Sequence, residues 1–178
     1  MTYEITHLID FINQSPSYYH SIDNMKNMLK EAGFQPLKPG DRWDLTQGKG
    51  YYVINQDSAL IAFRLGTESL RDSGFAIIGS HSDSPTVKLK TCSGIQAHDH
   101  YHTLNTEVYG GPILSSWFDR PLSIAGRAFY EDEQGSLKSR LFNIDKDLLI
   151  IPSLAIHLNR DINNGYKYLA LSYKQILS

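Results

Sequence analysis

The residues best suited to catalysis in this 178-residue sequence lie in the stretch GSHSDSP, Gly79–Pro85. His81 and Asp83 are two positions apart there, so an extended backbone places both side chains on the same side. A neutral imidazole is a good zinc ligand, and a nearby carboxylate can fix the tautomer and orientation of that imidazole. The spacing leaves a second interpretation equally open, in which both side chains only hydrogen-bond within a tight turn closed by Pro85.

A second group of histidines, His98, His100 and His102, alternates in the string HDHYH. On a strand these side chains would line one face, as in a three-histidine zinc site. The flanking residues are polar and offer no apolar frame to hold a metal, so we expect a solvent-exposed loop instead. We likewise expect Asp119 and Arg120 to form a structural ion pair or to brace a loop rather than to act as a catalytic pair.

The elements that must position these residues begin with two predicted helices. Apolar residues recur at helical spacing, and the second helix has Ser17 as its N-cap and Gly33 just beyond its end. Tyr51–Ile54 and Ala59–Phe63 predict a β-hairpin. The apolar run Phe75–Gly79 is typical of a strand buried on both faces, and ligand sites in α/β sheets gather beyond the carboxyl ends of such strands. The first part of the chain therefore predicts an α/β layer that ends at the GSHSDSP stretch.

The second part of the chain predicts mainly β structure. A polar turn at Glu131–Gly135 separates two of its strand candidates. We place the boundary between residues 1–85 and residues 86–178. The four strand candidates of the second part are Val87–Lys90, Glu107–Tyr109, Leu122–Tyr130 and Leu137–Phe142.

Composition narrows the class of protein. The chain has 17 Lys and Arg against 19 Asp and Glu, a formal net charge of -2, which argues against nucleic acid or an anionic membrane as a partner. Cys92 is the only cysteine, so an internal disulfide and a thiolate zinc site are both excluded. The apolar runs are too short to span a bilayer, and the start lacks a signal-peptide pattern. We expect a soluble, cytoplasmic protein.

Four ordered blocks of the sequence resemble the M18 family of metalloaminopeptidases, the aspartyl aminopeptidase family. The string HSDSPTVKLK is similar to the family's H-T/S-D-S-P stretch, and the likeness runs from residue 4 to about residue 164. Pro112 departs from the family, which has a third glycine at that place. The other blocks are Ser15–Ser17 with Gly33–Phe34 (SPSPFH…LxxAGF), Tyr109–Gly111 with Trp117–Arg127 (YGGG…WFDRxLxxAGR), and Ile151–Leu158 (IPxLAIHL).

The resemblance implies an architecture and three site residues. Residues 1–85 would be the N-terminal part of an incomplete zinc-peptidase α/β catalytic domain, and residues 86–178 a mainly β inserted dimerisation domain. His81 matches the family's first zinc ligand, and Asp83 matches the catalytic-site carboxylate that orients it. His157 matches a histidine that contacts substrate in the active site of a neighbouring subunit. Its apolar neighbours, taken alone, indicate a core histidine instead.

The function implied by the resemblance is zinc-dependent removal of N-terminal residues, acidic ones among them, from peptides. Family members hold two zinc ions per active site, and their remaining ligands lie downstream of the blocks matched here. We therefore expect this chain to be inactive or poorly active alone and to form a homo-oligomer through residues 86–178. The alternative is a non-catalytic, self-associating fragment or regulatory module.

Overall fold

The computed structural model describes residues 2–97, 101–164 and 174–177, and they form a mixed α/β structure, as predicted. Across these ranges, none of the helices has the length and apolar character needed to cross a membrane.

The chain divides into two compact units. The first contains Met1–Asp83 and Ala125–Asn143, and the second contains Ser84–Ile124 and Ile144–Ser178. The first break between units falls close to the boundary predicted after residue 85. The segment Ala125–Asn143, however, belongs to the first unit. Which unit corresponds to a catalytic or a dimerisation domain stays a prediction.

The first unit opens with the two predicted helices, α1 (Thr2–Asn13) and α2 (Tyr18–Glu31). Ser17 is the N-cap of α2 and has the extended backbone of that position, with φ −141° and ψ 161°. At the other end Gly33 has φ 78°, and the N–H groups of Gly33 and Phe34 bond the carbonyls of the last helical turn. This is a Schellman motif, which glycine accommodates without steric cost. Both predicted ends of α2 are confirmed.

The apolar face of α1 is exposed rather than buried. Helical spacing alone would direct this face toward a core. Its four residues are between 51% and 59% exposed: Ile5, Leu8, Ile9 and Ile12.

The first sheet has the order β1-β2-β3, with β1 at Gln35–Leu37, β2 at Gly50–Asn55 and β3 at Ala59–Arg64. β1 runs parallel to β2, and β2 and β3 form the predicted antiparallel hairpin. Gln56 and Asp57 in its turn have φ values of 51° and 57°, as a type I′ turn requires at both central positions.

The buried apolar residues of the first unit lie on α2 and on β2. Ile22, Tyr51 and Tyr52 are buried, and the ring centroid of Phe63 lies 5.7 Å from that of Tyr51. The large area that the two tyrosines remove from water makes them the main apolar contribution of β2.

The predicted buried strand Phe75–Gly79 is wrong in this structure. The run follows a short helix, α3 (Leu70–Ser73), and no strand is assigned to it. Phe75, Ile77 and Ile78 are 78%, 86% and 99% exposed. A strand of this kind forms when neighbouring strands pair with it and other layers cover both faces. Within the described residues no strand pairs with the run, so its backbone stays irregular.

A second hairpin completes the first unit. β6 (Ala125–Glu131) pairs antiparallel with β7 (Leu137–Asn143), and β6 packs against α2. The polar turn between them is confirmed: Gly135 has φ 76°, and the Asp132 carboxylate accepts the Ser136 N–H at 2.8 Å. The observed strand begins at Ala125 rather than at the predicted residue 122.

Arg127 fastens this hairpin within the first unit. Its Nη1 donates to the Gln56 carbonyl and to Asp57 Oδ2, both at 3.1 Å, and its Nη2 donates to the Tyr19 hydroxyl at 3.2 Å. The guanidinium also lies 4.2 Å from the ring centroid of Tyr19 and 4.9 Å from that of Phe129, within cation–π range.

The second unit is mainly β, as predicted. Its strands are β4 (Thr86–Ala97), β5 (Tyr101–Tyr109), β8 (Leu149–Ile150) and β9 (Lys174–Leu177). They form a sheet of the order β4-β5-β9-β8, with antiparallel neighbours throughout. Leu149 and Ile151 are buried, and so are Thr103 and Thr106. Two 3-10 turns lie at Leu114–Trp117 and Ile162–Asn164.

Candidate functional site

His81 and Asp83 contact each other in the irregular segment after the exposed run. The His81 Nδ1 lies 2.8 Å from the Asp83 carbonyl oxygen and 3.2 Å from Asp83 Oδ1. Because a carbonyl only accepts, Nδ1 carries the proton and donates it, and in the neutral imidazole this leaves Nε2 with the lone pair that can bind a metal. The His81 side chain is 80% exposed, so a ligand can reach Nε2.

This arrangement contains features of both interpretations. The contact is local, as in a simple turn. It also holds the imidazole through Nδ1 and leaves Nε2 for a ligand, and metal-binding histidines are usually held in this way through the nitrogen that does not bind the metal. Ser84 and Pro85, which follow the contact, are exposed. The metal-ligand role of His81 and the orienting role of Asp83 stay predictions.

The donor set falls short of a complete zinc site. A catalytic zinc ion takes about three protein ligands. In the part of the chain that the structure describes, no group of three or more His, Cys, Asp or Glu side chains could hold a metal. His81 and Asp83 supply one imidazole and one carboxylate, so the described residues do not fit a zinc ion by themselves.

The GSHSDSP stretch leads directly into the β4–β5 pair of the second unit. Thr86 opposes Tyr109 at the end of this pair, and Gly110 follows with φ 72°. A Cβ at Gly110 would lie 3.4 Å from the Cα of Pro85, so the two segments are in close contact. The positive φ explains the glycine at this position of the YGG block.

His157 lies on the surface of the second unit. It belongs to a turn in which the Leu158 N–H donates to the Ala155 carbonyl at 2.8 Å. Leu154, Ile156 and Leu158 are all exposed, so the surroundings contradict a core histidine. The imidazole is accessible to a ligand or partner, and its substrate role stays a prediction.

Asp119 and Arg120 brace loops, as predicted. The Asp119 carboxylate accepts the Ser153 N–H at 2.9 Å and also the Ser153 hydroxyl, and the Asp119 N–H donates to the Ile151 carbonyl at 3.0 Å. The hydroxyl bond, followed by the N–H bond, lowers the pKa of the Asp119 carboxyl, and desolvation opposes them weakly. Arg120 donates to the Ser116 carbonyl at 3.4 Å. The partner of Asp119 was not predicted, because 34 positions separate it from Ser153.

The structure describes one of the three alternating histidines. His98 and His100 lie outside the described residues, and His102 is exposed on β5. For His102 the expected loop is wrong, because this residue lies on a strand, although its expected exposure is confirmed. For His98 and His100 the expectation stays a prediction.

Comparison with known proteins identifies the family. Residues 11–172 match the family model described as Aminopeptidase I zinc metalloprotease (M18), so the chain belongs to this family. It is 51% identical over 161 residues to the "Probable M18 family aminopeptidase 2" of Clostridium acetobutylicum. The aligned residues make up 90% of this chain and 37% of that protein. The resemblance drawn from the four sequence blocks is confirmed.

Solved structures agree on the fold. The chain superposes on a chain of the complex of Ape4 and Nbr1 with a TM-score of 0.88 and 36% identity, covering 97% of this chain and 33% of that one. It superposes on the S. cerevisiae mApe1 dodecamer with a TM-score of 0.77 and 27% identity, covering 97% and 47%. This chain therefore spans less than half the length of the relatives it matches.

Proposed function

We propose that this chain is part of a zinc-dependent aminopeptidase that removes N-terminal residues, acidic ones among them, from peptides. The observation that carries the proposal is the His81–Asp83 contact, in which Nδ1 is held and Nε2 is left accessible. Membership of a family of zinc metalloproteases supports the same conclusion.

His81 supplies one zinc ligand, and Asp83 fixes the orientation of its imidazole. The complete active site holds two zinc ions, and their remaining ligands come from protein beyond the blocks matched here. The incomplete donor set of the described residues supports this division. The chain alone is accordingly inactive or poorly active.

The C-terminal part of the chain mediates association between copies and contacts the substrate. Residues 86–178 mediate a homo-oligomer, and His157 contacts the peptide bound at a neighbouring subunit. The exposed apolar side chains of Leu154, Ile156 and Leu158 around it support a buried position in an assembly. A solved relative that is a dodecamer supports an oligomer as well.

The alternative proposal is a non-catalytic module that self-associates and regulates a longer relative. It is favoured by one specific observation, the absence of a third metal ligand around His81 among the described residues. The two proposals differ in what they require of His81, because only the aminopeptidase needs its imidazole.

A chimera tests this difference. This chain would replace the 161 aligned residues of the Clostridium acetobutylicum relative, and zinc-dependent release of N-terminal Asp and Leu would be measured. We expect the chimera to be active, His81→Gln to abolish activity, and Asp83→Asn to lower zinc affinity about 10- to 100-fold. His102→Gln, an exposed histidine on β5, is the matched control. Full activity of the His81→Gln chimera would refute the ligand role.

The isolated chain is the second arm of the test. We expect it to retain less than one zinc ion per chain and to show no turnover. Zinc-dependent turnover by the isolated chain would contradict the proposal that its active site is incomplete.

A further inference from the structure

The segment that carries His157 leaves the core abruptly. Ile151 is 4% exposed, whereas every residue of Pro152–Leu158 is exposed. A surface segment of this kind gains little stability from apolar burial, so its backbone conformation depends mainly on hydrogen bonds.

The hydrogen bonds of this segment are long-range up to Ser153 and local beyond it. Ile151 and Ser153 are both bonded to Asp119, far away in sequence. Among the described residues beyond Ser153, the bonds found for the turn are local, from the N–H groups of Leu158 and Asn159 to the Ala155 carbonyl. Among the described residues, the bonds to Asp119 are therefore the last long-range hydrogen bonds found for this segment, and Ser153 lies four positions before His157.

The backbone of Asp119 is suited to this task at a cost. Its φ of 54° lies in the left-handed region, which non-glycine residues rarely occupy and which Asp and Asn tolerate best. In this conformation the N–H of Asp119 reaches the Ile151 carbonyl while its carboxylate reaches both donors of Ser153. Three bonds converge on two nearby residues, and observed strain of this kind is a reason to look for a functional constraint.

We propose that Asp119 is the positioning residue for His157, fixing the exit of its segment from the core through Ser153. The proposal rests on the proposed substrate role of His157. An ordinary structural brace would contribute to global stability without a specific effect on the ring of His157. A positioning residue changes the order of the turn and the environment of that imidazole while the rest of the unit is unaffected.

The test uses the whole chain and two measurements. Hydrogen exchange reports the order of residues 154–159, and the ring Cε1–Hε1 resonance of His157, assigned with His157→Gln, reports its environment. Asp119→Ala should raise exchange at 154–159 about tenfold and shift the His157 resonance, with little change in the buried strands. Ser153→Ala should give a smaller effect of the same kind, and Ser153→Thr, which keeps the hydroxyl, should restore the wild-type spectrum.

Asp145 provides the matched control. It is an exposed aspartate of the same unit with φ 50°, so Asp145→Ala imposes the same backbone change at a different turn. The proposal is overturned if Asp119→Ala and Asp145→Ala have equal effects on residues 154–159, or if Asp119→Ala leaves the His157 resonance unchanged.

Failure of the proposed function would look different. In a titration with the peptide Asp-Ala-Ala, a His157→Gln chimera with unchanged KM would refute the substrate role of His157. The exchange and resonance measurements would still decide the role of Asp119, because neither depends on substrate.

Discussion

The Asp119 carboxyl group has a lowered pKa because two hydrogen bonds from Ser153 stabilise its charged form. A group whose folded-state pKa is lowered stabilises the fold above its unfolded pKa, about 3.9 for Asp, and that contribution is lost as pH falls through the lowered value. We therefore expect the Ser153 amide resonance to stay constant at neutral pH and to titrate only below about pH 3.9. Asp119→Asn should remove this step, whereas a step above that pH would contradict the assignment.

Contacts at the scale of single residues were predictable when they were local. His81 and Asp83 are two positions apart, and their contact follows from that spacing. Asp119 and Ser153 meet only because the segments around Leu122 and Leu149 pair. Neither local sequence points to the other, so the geometry that orders the His157 segment needed the structure.

Arg127 contributes to holding the hairpin β6–β7 in its place within the first unit. The outer parts of both strands are exposed, whereas the Arg127 side chain is only 16% exposed. Its cation–π contacts and hydrogen bonds join the hairpin to Tyr19 in α2 and to the turn of the first hairpin. We expect Arg127→Met, which keeps much of the stem, to lower the free energy of unfolding by about 2 kcal/mol.

Hydrogen exchange localises this effect. Amides of Ala125–Asn143 should exchange faster in Arg127→Met, while those of β4 and β5 stay as in the wild type. Arg140→Met, at an exposed position opposite Ala128, is the control and should change little. Uniformly faster exchange across both units would contradict a stabilising effect of Arg127 that is confined to the hairpin.

Helices and hairpins were predicted correctly where the residues that determine their ends are adjacent in the sequence. Ser17 and Gly33 set the ends of α2, and the residues around Gln56 set a tight hairpin, because caps and turns depend on a few adjacent residues. The run Phe75–Gly79 also has the composition of a strand, yet a strand exists only when another strand pairs with it. The residues of the run do not show whether another strand will pair with it, and for this reason the prediction of a strand failed.

Three of the places at which the described residues expose apolar side chains are relevant to association between molecules. They are one face of α1, the run Phe75–Ile78, and the surroundings of His157. Exposed apolar surfaces of this kind are typical sites of contact with other protein. Surfaces of this kind also promote association between copies.

Two charge substitutions distinguish which surface drives association. Leu158 and Ile78 are 74% and 99% exposed, so Leu158→Asp and Ile78→Asp bury no charge in the isolated chain and should leave its fold intact. If the homo-oligomer forms through residues 86–178 as proposed, Leu158→Asp shifts sedimentation toward the monomer and Ile78→Asp does not. The reverse result would place the contact on the exposed run of the first unit and contradict the proposed interface, because each substitution introduces its charge at one surface only.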